Sequence, residues 1–319
     1  MNRFSFVNSP LGQVERFIIH KENEAELEIL SGSGLGLNAW RIKTPNEKKE
    51  LLAGYLSEEE FFRTQNDTSA GVRLSPWPGR TNNAVWTWNG KTYTLDSNVS
   101  WAKHALHGLI HQKKWTFISF SSSETCGVAR FAIDYTGYHT GFPFPFRAEV
   151  QIVFYGDSFE IKSSTINTGN AQMPYAEGFH PYFSLGEKID NLFLTLPESE
   201  KVLVDSFDIP TGERLPETHF ESRQKIGNAF INDCFALKNP ENNAEIILEN
   251  ETEKLIVSQK TTPSGYLYFQ IYTPPTRESV AIEPMTAEPD VLNHHRDLKV
   301  LNPGERLDFC WSAKYQRVK

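Results

Sequence analysis

The chain has 319 residues and a net charge of −8, because 40 acidic side chains outnumber 32 basic ones. An acidic chain is a poor partner for nucleic acid or an anionic membrane surface, since both bind basic faces. The mean hydropathy of −0.45 and the lack of a long apolar run exclude a membrane-spanning helix. The 22 Phe, 11 Tyr and 7 Trp residues can bury a large core, which excludes extensive disorder.

The cellular compartment is predicted from the N-terminus and the cysteines. The first residues, MNRFSFVNSPLGQ, lack the apolar segment of an export signal. Three cysteines, Cys126, Cys234 and Cys310, make neither a disulfide framework nor a zinc motif. We therefore expect a cytoplasmic protein.

The first half of the chain shows turn and hairpin signals and one helix signal. The glycines of Gly32–Gly36 resemble a phosphate-binding loop, but Leu37 stands where the dinucleotide fingerprint needs glycine, so a turn between strands is predicted. Ser57 and the three glutamates after it form a capping box, which predicts one short helix. The Asn89–Gly90 pair between two alternating segments predicts a hairpin.

The second half of the chain continues the pattern of short strands. Residues 128–135, 146–154 and 159–166 predict strands, with a hairpin turn at Gly156–Asp157. Further strands are predicted at 244–248, 255–258, 266–272, 279–283 and 309–315. Many short strands joined by turns indicate an all-β protein, a large antiparallel sandwich or barrel with few helices. No linker or repeat divides the chain, so we expect a single domain over residues 1–319.

Four polar clusters beside aromatic or proline-rich turns are candidate site segments. They surround Arg80, His107, His180 and Glu283. Each residue alone has an ordinary structural explanation, such as a surface ion pair, a core histidine, a strand end or a strand cap. Together they predict a site for a neutral carbohydrate, because aromatic rings stack on sugars and polar side chains bind hydroxyl groups. A histidine and a glutamate can also supply general acid–base catalysis.

A metal site is the weaker reading of the histidine-rich segment. His104, His107 and His111 have the spacing of ligands on a helix, but Gly108 interrupts that helix and no glutamate follows as in zinc proteases. We therefore expect neither a metal nor a cofactor.

The order of motifs resembles the aldose 1-epimerase (galactose mutarotase) family from about Ser9 to Tyr315. The segments that carry the resemblance are LLAGYLSEEEF, GRTNNAVWTWNGKTYTLDSN, LHG, HPYF, NDCF, FQIYT, EPMTAEPDVLNH and LNPGE. The resemblance implies a galactose mutarotase-like supersandwich. Ala84, Pro181 and the run LHGLIHQ depart from the pattern of many members, and these departures concern the sugar pocket.

The resemblance also implies a role for seven residues. His180 would be the general acid and Glu283 the general base. The substrate-binding residues would be Arg80, Asn83, His107, Asp233 and Gln270. We expect a neighbouring carboxylate to raise the pKa of His180, so that both members of the pair are charged at neutral pH. We expect Glu288 to lie in a solvated turn, which favours Glu283 as the base.

The implied activity is the interconversion of the α and β anomers of a free aldohexose such as galactose or glucose. The expected partner is this small-molecule sugar, and the protein is expected to be a monomer or homodimer. A hexose-6-phosphate mutarotase is an alternative, and it would need extra cations such as Arg73 and Lys103. A non-catalytic sugar-binding protein of the same fold and a metal-dependent enzyme of the cupin kind are further alternatives.

Overall fold

Antiparallel β-strands are the main regular structure of the chain, as the sequence predicts. A computed structural model describes residues 3–45, 47–262 and 265–318. These residues contain 28 strands and two short α-helices. None of the helices in these ranges has the length and apolarity that a membrane crossing requires.

The strands of the first half are β1 (Phe4–Asn8), β2 (Phe17–Lys21), β3 (Ala25–Leu30), β4 (Gly36–Lys43), β5 (Lys48–Glu50), β6 (Arg73–Leu74), β7 (Arg80–Thr81), β8 (Val85–Trp88), β9 (Lys91–Thr94), β10 (Ala105–Leu106), β11 (Thr116–Ser122), β12 (Gly127–Tyr135), β13 (Phe146–Phe154) and β14 (Ser158–Asn167). Those of the second half are β15 (Met173–Tyr175), β16 (Gly178–Phe179), β17 (Tyr182–Phe183), β18 (Phe193–Thr195), β19 (Ser199–Val204), β20 (Pro210–Pro216), β21 (Gln224–Lys225), β22 (Asn232–Leu237), β23 (Asn243–Glu249), β24 (Glu253–Lys260), β25 (Tyr268–Tyr272), β26 (Val280–Met285), β27 (Lys299–Leu301) and β28 (Arg306–Arg317). The helices are α1 (Glu58–Thr68) and α2 (Val291–His294), and two 3₁₀ turns span Asn82–Ala84 and Ile189–Asn191.

Two large sheets form the sandwich. The nine-stranded sheet has the order β11-β12-β13-β14-β28-β24-β23-β18-β21, and the eight-stranded sheet has the order β20-β19-β22-β25-β26-β16-β6, with β17 also paired to β26. Trp311 of the first sheet packs on Phe179 of the second, with ring centroids 5.5 Å apart. A five-stranded sheet, β1 to β5, adds Trp40 to the same core, against Phe159. Burial of these large rings is the main favourable contribution to folding.

The helix predicted from the capping box is confirmed as α1. The Ser57 side chain accepts a hydrogen bond from the Glu60 backbone N–H at 3.1 Å, and the Glu60 carboxylate accepts one from the Leu56 N–H at 2.8 Å. These bonds satisfy backbone donors that the first turn of a helix leaves unpaired. Phe61 is the residue that α1 buries.

The predicted hairpins are also confirmed. Asn89 and Gly90 have φ of 49° and 76° between β8 and β9, the left-handed conformations that an Asn–Gly hairpin turn needs. The turn at Gly156–Asp157 joins β13 to β14, and a second polar turn joins β23 to β24. The glycines near Gly34 lie in a turn between β3 and β4, with no helix after them.

Candidate active site

His180 and Glu283 face each other across one antiparallel ladder. Gly178 of β16 pairs with Met285 of β26, and Tyr182 of β17 pairs with Ala281. Continuing this register between the two pairs places His180 opposite Glu283. The His180 Nε2 atom lies 3.4 Å from Glu283 Oε1. The strand β26 continues to Met285, so Glu283 lies inside the strand, whereas the sequence predicted that the strand ends there.

Burial controls the proton affinity of this pair. Glu283 is 3% exposed and His180 is 7% exposed. Burial raises the pKa of the Glu283 carboxyl well above its usual value, with a smaller opposing effect from the Arg80 charge. Burial lowers the pKa of His180 to about 4. The expectation of a raised His180 pKa is therefore wrong, because loss of solvent outweighs the neighbouring carboxylate and favours the neutral form of both groups.

Arg80 and His107 are held by two interlocked segments. The His107 N–H donates to the Gly79 carbonyl at 2.9 Å, and β7 pairs with β10, where Arg80 lies opposite Leu106. Gly108 has φ of +76°, and a Cβ atom there would lie 2.1 Å from the Ser75 carbonyl oxygen. Only glycine fits such a position. The glycine of the LHG motif thus lets the segment that carries His107 approach the segment that carries Arg80.

The imidazole of His107 lies against that of His180, with ring centroids 5.3 Å apart and planes at 86°. Burial lowers the pKa of His107 well below its usual value, and the charge of Arg80 acts in the same direction. His107 is therefore a neutral side chain beside the pair.

Several buried polar atoms at this site have no hydrogen-bond partner. They are Nδ1 of His180, Nδ1 of His107 and Nε of Arg80, each without a partner among the residues that the structure describes. Leaving buried polar atoms unpaired is costly, and native proteins seldom do so. Three such atoms beside one acid–base pair are available to a polar ligand or to water.

The Arg80 guanidinium has two further contacts. Its Nη2 atom lies 2.9 Å from Asp208 Oδ2, and it stacks over the Trp101 ring at 5.3 Å from the ring centroid. Asp208 lies in the turn between β19 and β20, and Trp101 is 52% exposed. Neither residue was expected from the sequence. An Asp in a turn is ordinary turn chemistry, and no local pattern indicates that this hairpin reaches Arg80.

Gln270 lies on the same face of the sheet as Glu283, as the register of β25 with β26 shows. Its side-chain Nε2 donates to Asn232 Oδ1 at 2.9 Å. On β22, Cys234 pairs with Gln270, whereas Asp233 pairs with Ile271, which belongs to the core. Because side chains alternate along a strand, Asn232 lies on the face of the site and Asp233 does not.

The structure thus corrects the placement of Asp233. Its Oδ1 atom contacts Lys201 Nζ at 2.8 Å, on the opposite face from Gln270. Asn83 is exposed, with φ of 51°, and its backbone N–H donates to His104 Nδ1 at 3.1 Å. The described contacts do not join the Asn83 side chain to the acid–base pair.

Tyr182 is a neighbour of the pair that the sequence did not single out. Its ring stacks on the His180 imidazole, with centroids 5.0 Å apart and planes at 25°. Its hydroxyl donates to the Thr68 carbonyl at 3.2 Å, which fixes the ring at the end of α1. The period-two position, two residues after His180 on the same face, is the signal that could have identified it.

Glu288 is not in a solvated turn, contrary to expectation. It is 1% exposed, and its carboxylate contacts Arg214 at 3.0 Å and Arg296 at 2.7 Å. Arg214 is 74 residues away in sequence and Arg296 is eight residues away, so the turn that contains Glu288 could not by itself indicate its burial. Glu288 therefore has a structural role as the shared partner of two guanidiniums.

Arg73 is also held in a buried ion pair, with a partner that is not a candidate site residue. Its guanidinium is fully buried and paired with Glu177, and it donates to Tyr175 and Thr165. It therefore cannot serve as one of the two phosphate-binding cations, Arg73 and Lys103, that the alternative function named; Lys103 is exposed.

A separate cavity of about 630 Å³ lies against the outer face of the nine-stranded sheet. Its charges largely satisfy one another: Arg147 contacts Asp134 and Glu149, and Arg306 contacts Glu149 and Asp308. It contains none of the predicted site residues. Within residues 3–45, 47–262 and 265–318, no three His, Cys, Asp or Glu side chains are arranged to hold a metal ion.

Comparison with known proteins identifies the fold and the family. The family model described as aldose 1-epimerase matches residues 19–312. The uncharacterized protein YphB of Escherichia coli is 26% identical over 297 residues, which cover 88% of this chain and 92% of that protein. A galactose mutarotase-like protein of Clostridium acetobutylicum has a TM-score of 0.86 at 18% identity, and galactose 1-epimerase of Lactobacillus acidophilus has 0.80 at 14%; each comparison covers 99% of both chains. The fold is thus the galactose mutarotase-like sandwich that the motifs implied. The chain belongs to the aldose 1-epimerase family.

Proposed function

We propose that the protein is a mutarotase that interconverts the α and β anomers of a free aldohexose, such as galactose or glucose. The observation that carries the proposal is the buried His180–Glu283 pair, surrounded by polar atoms that lack partners. A sugar brings hydroxyl groups that can pair with these atoms. A pure sugar-binding protein has no need for a buried acid–base pair at 3.4 Å.

One proton on the pair is enough for the reaction. When His180 carries it, the Glu283 carboxylate takes the proton of the C1 hydroxyl, the C1–O5 bond breaks, and the ring oxygen receives the proton of His180. Rotation about C1–C2 and the reverse transfers close the ring on the other face. Acid–base help of this kind contributes about 10² to 10⁴ in rate.

The resting pair and the working pair differ in where that proton lies. Burial favours the neutral forms, with the proton on Glu283. The positive charge of Arg80 opposes this and favours the Glu283 carboxylate. The ionised form is therefore reached by moving one proton within the pair, without exchange with solvent. No redox step or group transfer occurs, so the reaction requires no cofactor.

The cellular compartment is proposed from the cysteines. Cys126, Cys234 and Cys310 are all free thiols, which supports the expectation of a reducing compartment such as the cytoplasm.

The test is polarimetry on freshly dissolved anomers. We expect the wild-type protein to accelerate the rotation change of α-glucose or α-galactose, and the His180→Asn variant to lose at least about tenfold in kcat. Asn keeps a hydrogen bond but cannot transfer a proton. Circular dichroism should show that the variant stays folded. A wild-type protein that accelerates none of the free or 6-phosphorylated hexoses would contradict the proposal.

A further inference from the structure

A carboxylate that binds sugar hydroxyls is missing from the position where the motifs placed it. Asp233 lies on the opposite face of β22, in an ion pair with Lys201, and the neutral Asn232 occupies the face of the site. Another carboxylate approaches from a different direction. Asp208, in the turn between β19 and β20, reaches Arg80 at 2.9 Å.

The turn holds Asp208 in a fixed position. The Asp205 carboxylate accepts hydrogen bonds from the backbone N–H groups of Phe207 at 2.8 Å and Ile209 at 3.0 Å, and the Asp208 N–H donates to the Asp205 carbonyl at 3.1 Å. Asp208 has φ of 58°, a left-handed conformation that Asp and Asn tolerate well. Its side chain is 41% exposed, so it remains open to a ligand.

Arg80 connects this turn with the acid–base pair. Its charge acts on both Glu283 and His107, and its guanidinium contacts the Asp208 carboxylate and the Trp101 ring. An aromatic ring, a carboxylate and a guanidinium beside an acid–base pair are the groups that hold a sugar ring and its hydroxyls. The carboxylate accepts hydrogen bonds from hydroxyls, and the guanidinium donates to their oxygens.

We propose that Asp208 and Arg80 form a clamp that binds sugar hydroxyls and makes the enzyme selective for neutral sugars over phosphorylated or otherwise anionic ones. This inference rests on the proposed function and names the substrate class of the same site. Under this proposal the substrate is the free hexose and not the hexose 6-phosphate.

The charge balance of neighbouring residues supports neutral sugars. Asp208 compensates the cation whose charge acts on Glu283, and its own negative charge would repel a phosphate. Other cations of the same sheet are also compensated: Arg214 contacts Glu288, and Lys201 contacts Asp233. Arg296, beyond α2, contacts Glu288 as well. A phosphate-binding site needs cations that are not already paired in this way.

The experiment compares Asp208→Asn with Asp233→Asn. Each change removes one negative charge from an ion pair, but only Asp208 lies at the clamp. Asn keeps the left-handed turn at position 208. Binding of glucose, galactose and their 6-phosphates is measured by isothermal titration calorimetry, and KM and kcat are measured by polarimetry.

We expect Asp208→Asn to raise Kd and KM for the preferred neutral hexose about tenfold, as for the loss of a charge-assisted hydrogen bond. The kcat should change much less, and the preference for neutral over phosphorylated sugar should shrink. Asp233→Asn should leave all four quantities within about twofold, the level of a surface ion pair.

The failure of this inference differs from the failure of the proposed function. If wild-type protein anomerises a neutral hexose and Asp208→Asn has the same Kd and KM, the clamp is wrong and the mutarotase stands. A wild-type preference for a 6-phosphate also overturns the clamp. If the wild type binds a neutral hexose and Asp208→Asn weakens that binding, but no sugar is turned over, the clamp stands and the mutarotase fails.

Discussion

Glu283 and His180 are in contact where solvent is nearly absent. The charged form of each group is therefore disfavoured relative to its neutral form. Burial raises the pKa of Glu283 and lowers that of His180 to about 4. The order of the two pKa values is therefore the reverse of that of the free side chains. The pair then holds one proton over a wide range of pH. One shared proton is enough for ring opening and closure, because the reaction gives back to the sugar each proton that the pair removes.

The role of Glu283 predicts a loss of activity without a loss of stability. Its pKa is raised in the folded protein, so this group favours folding fully below the usual value of 4.5 and loses that contribution as the pH rises through the raised pKa. Glu283→Gln removes an ionisable group that opposes folding at pH 8. We expect kcat to fall by about two orders of magnitude or more, and urea unfolding at pH 8 to show equal or greater stability, with a gain of up to about 2 kcal/mol.

Glu288→Gln is the matched control, since Glu288 is buried five residues further on. We expect its kcat to stay within a few-fold of the parent, measured on the same sugar well below the melting temperature. Its stability should fall by about 1–3 kcal/mol, because Arg214 and Arg296 lose their shared carboxylate. An inactive Glu288→Gln beside an active Glu283→Gln would exchange their roles and contradict the site.

At the scale of elements, tight turns decide where the functional side chains lie. Gly108 and Gly90 both have φ of +76°, but they differ in their surroundings. A Cβ on Gly108 would collide with the Ser75 carbonyl, whereas nothing lies within 4 Å of a Cβ on Gly90. The first glycine serves a close approach of two segments, and the second serves only a turn.

This difference predicts unequal costs for the same substitution. Gly90→Ala pays only for its left-handed backbone, about 1–2 kcal/mol. Gly108→Ala adds the displacement of the neighbouring segment, for a total of about 2–5 kcal/mol, and it should also raise KM by moving His107. Urea unfolding measures both variants, and equal losses would show that the approach to Ser75 is not tight.

The sequence allowed the elements to be predicted better than their contacts. The capping box at Ser57 and the turns at Asn89–Gly90 and Gly156–Asp157 are local signals, and the structure has each of them. Glu288 also looked like a turn residue, yet it is buried because Arg214 comes from a strand more than seventy residues away in sequence. A local sequence pattern cannot show that a side chain is buried by a residue so far away in sequence.

For the whole molecule, the alternation of apolar residues and the scarcity of helix signals were sufficient to predict an all-β sandwich or barrel, and the family resemblance supplied the choice of a sandwich. The order of the motifs, and not any spacing, suggested that His180 and Glu283 act together. Their pairing depends on β26 joining two short strands on either side of His180. A shift of one residue along a strand moves a side chain to the other face, and the NDCF motif, from which Asp233 was predicted by resemblance, does not show which face each of its residues occupies. The single domain over residues 1–319 stays a prediction.

The pH dependence of kcat/KM, measured by polarimetry on a neutral hexose in buffer with EDTA, tests the one-proton pair most directly. Below pH of about 4, His180 gains a second proton for the pair, and at high pH Glu283 loses the only one. The account therefore predicts a bell with its acid limb near pH 4, from His180, and its alkaline limb set by the raised pKa of Glu283, both as properties of the coupled pair. An acid limb near pH of about 6.5, the value of an ordinary imidazole, or a loss of activity in EDTA, would contradict it.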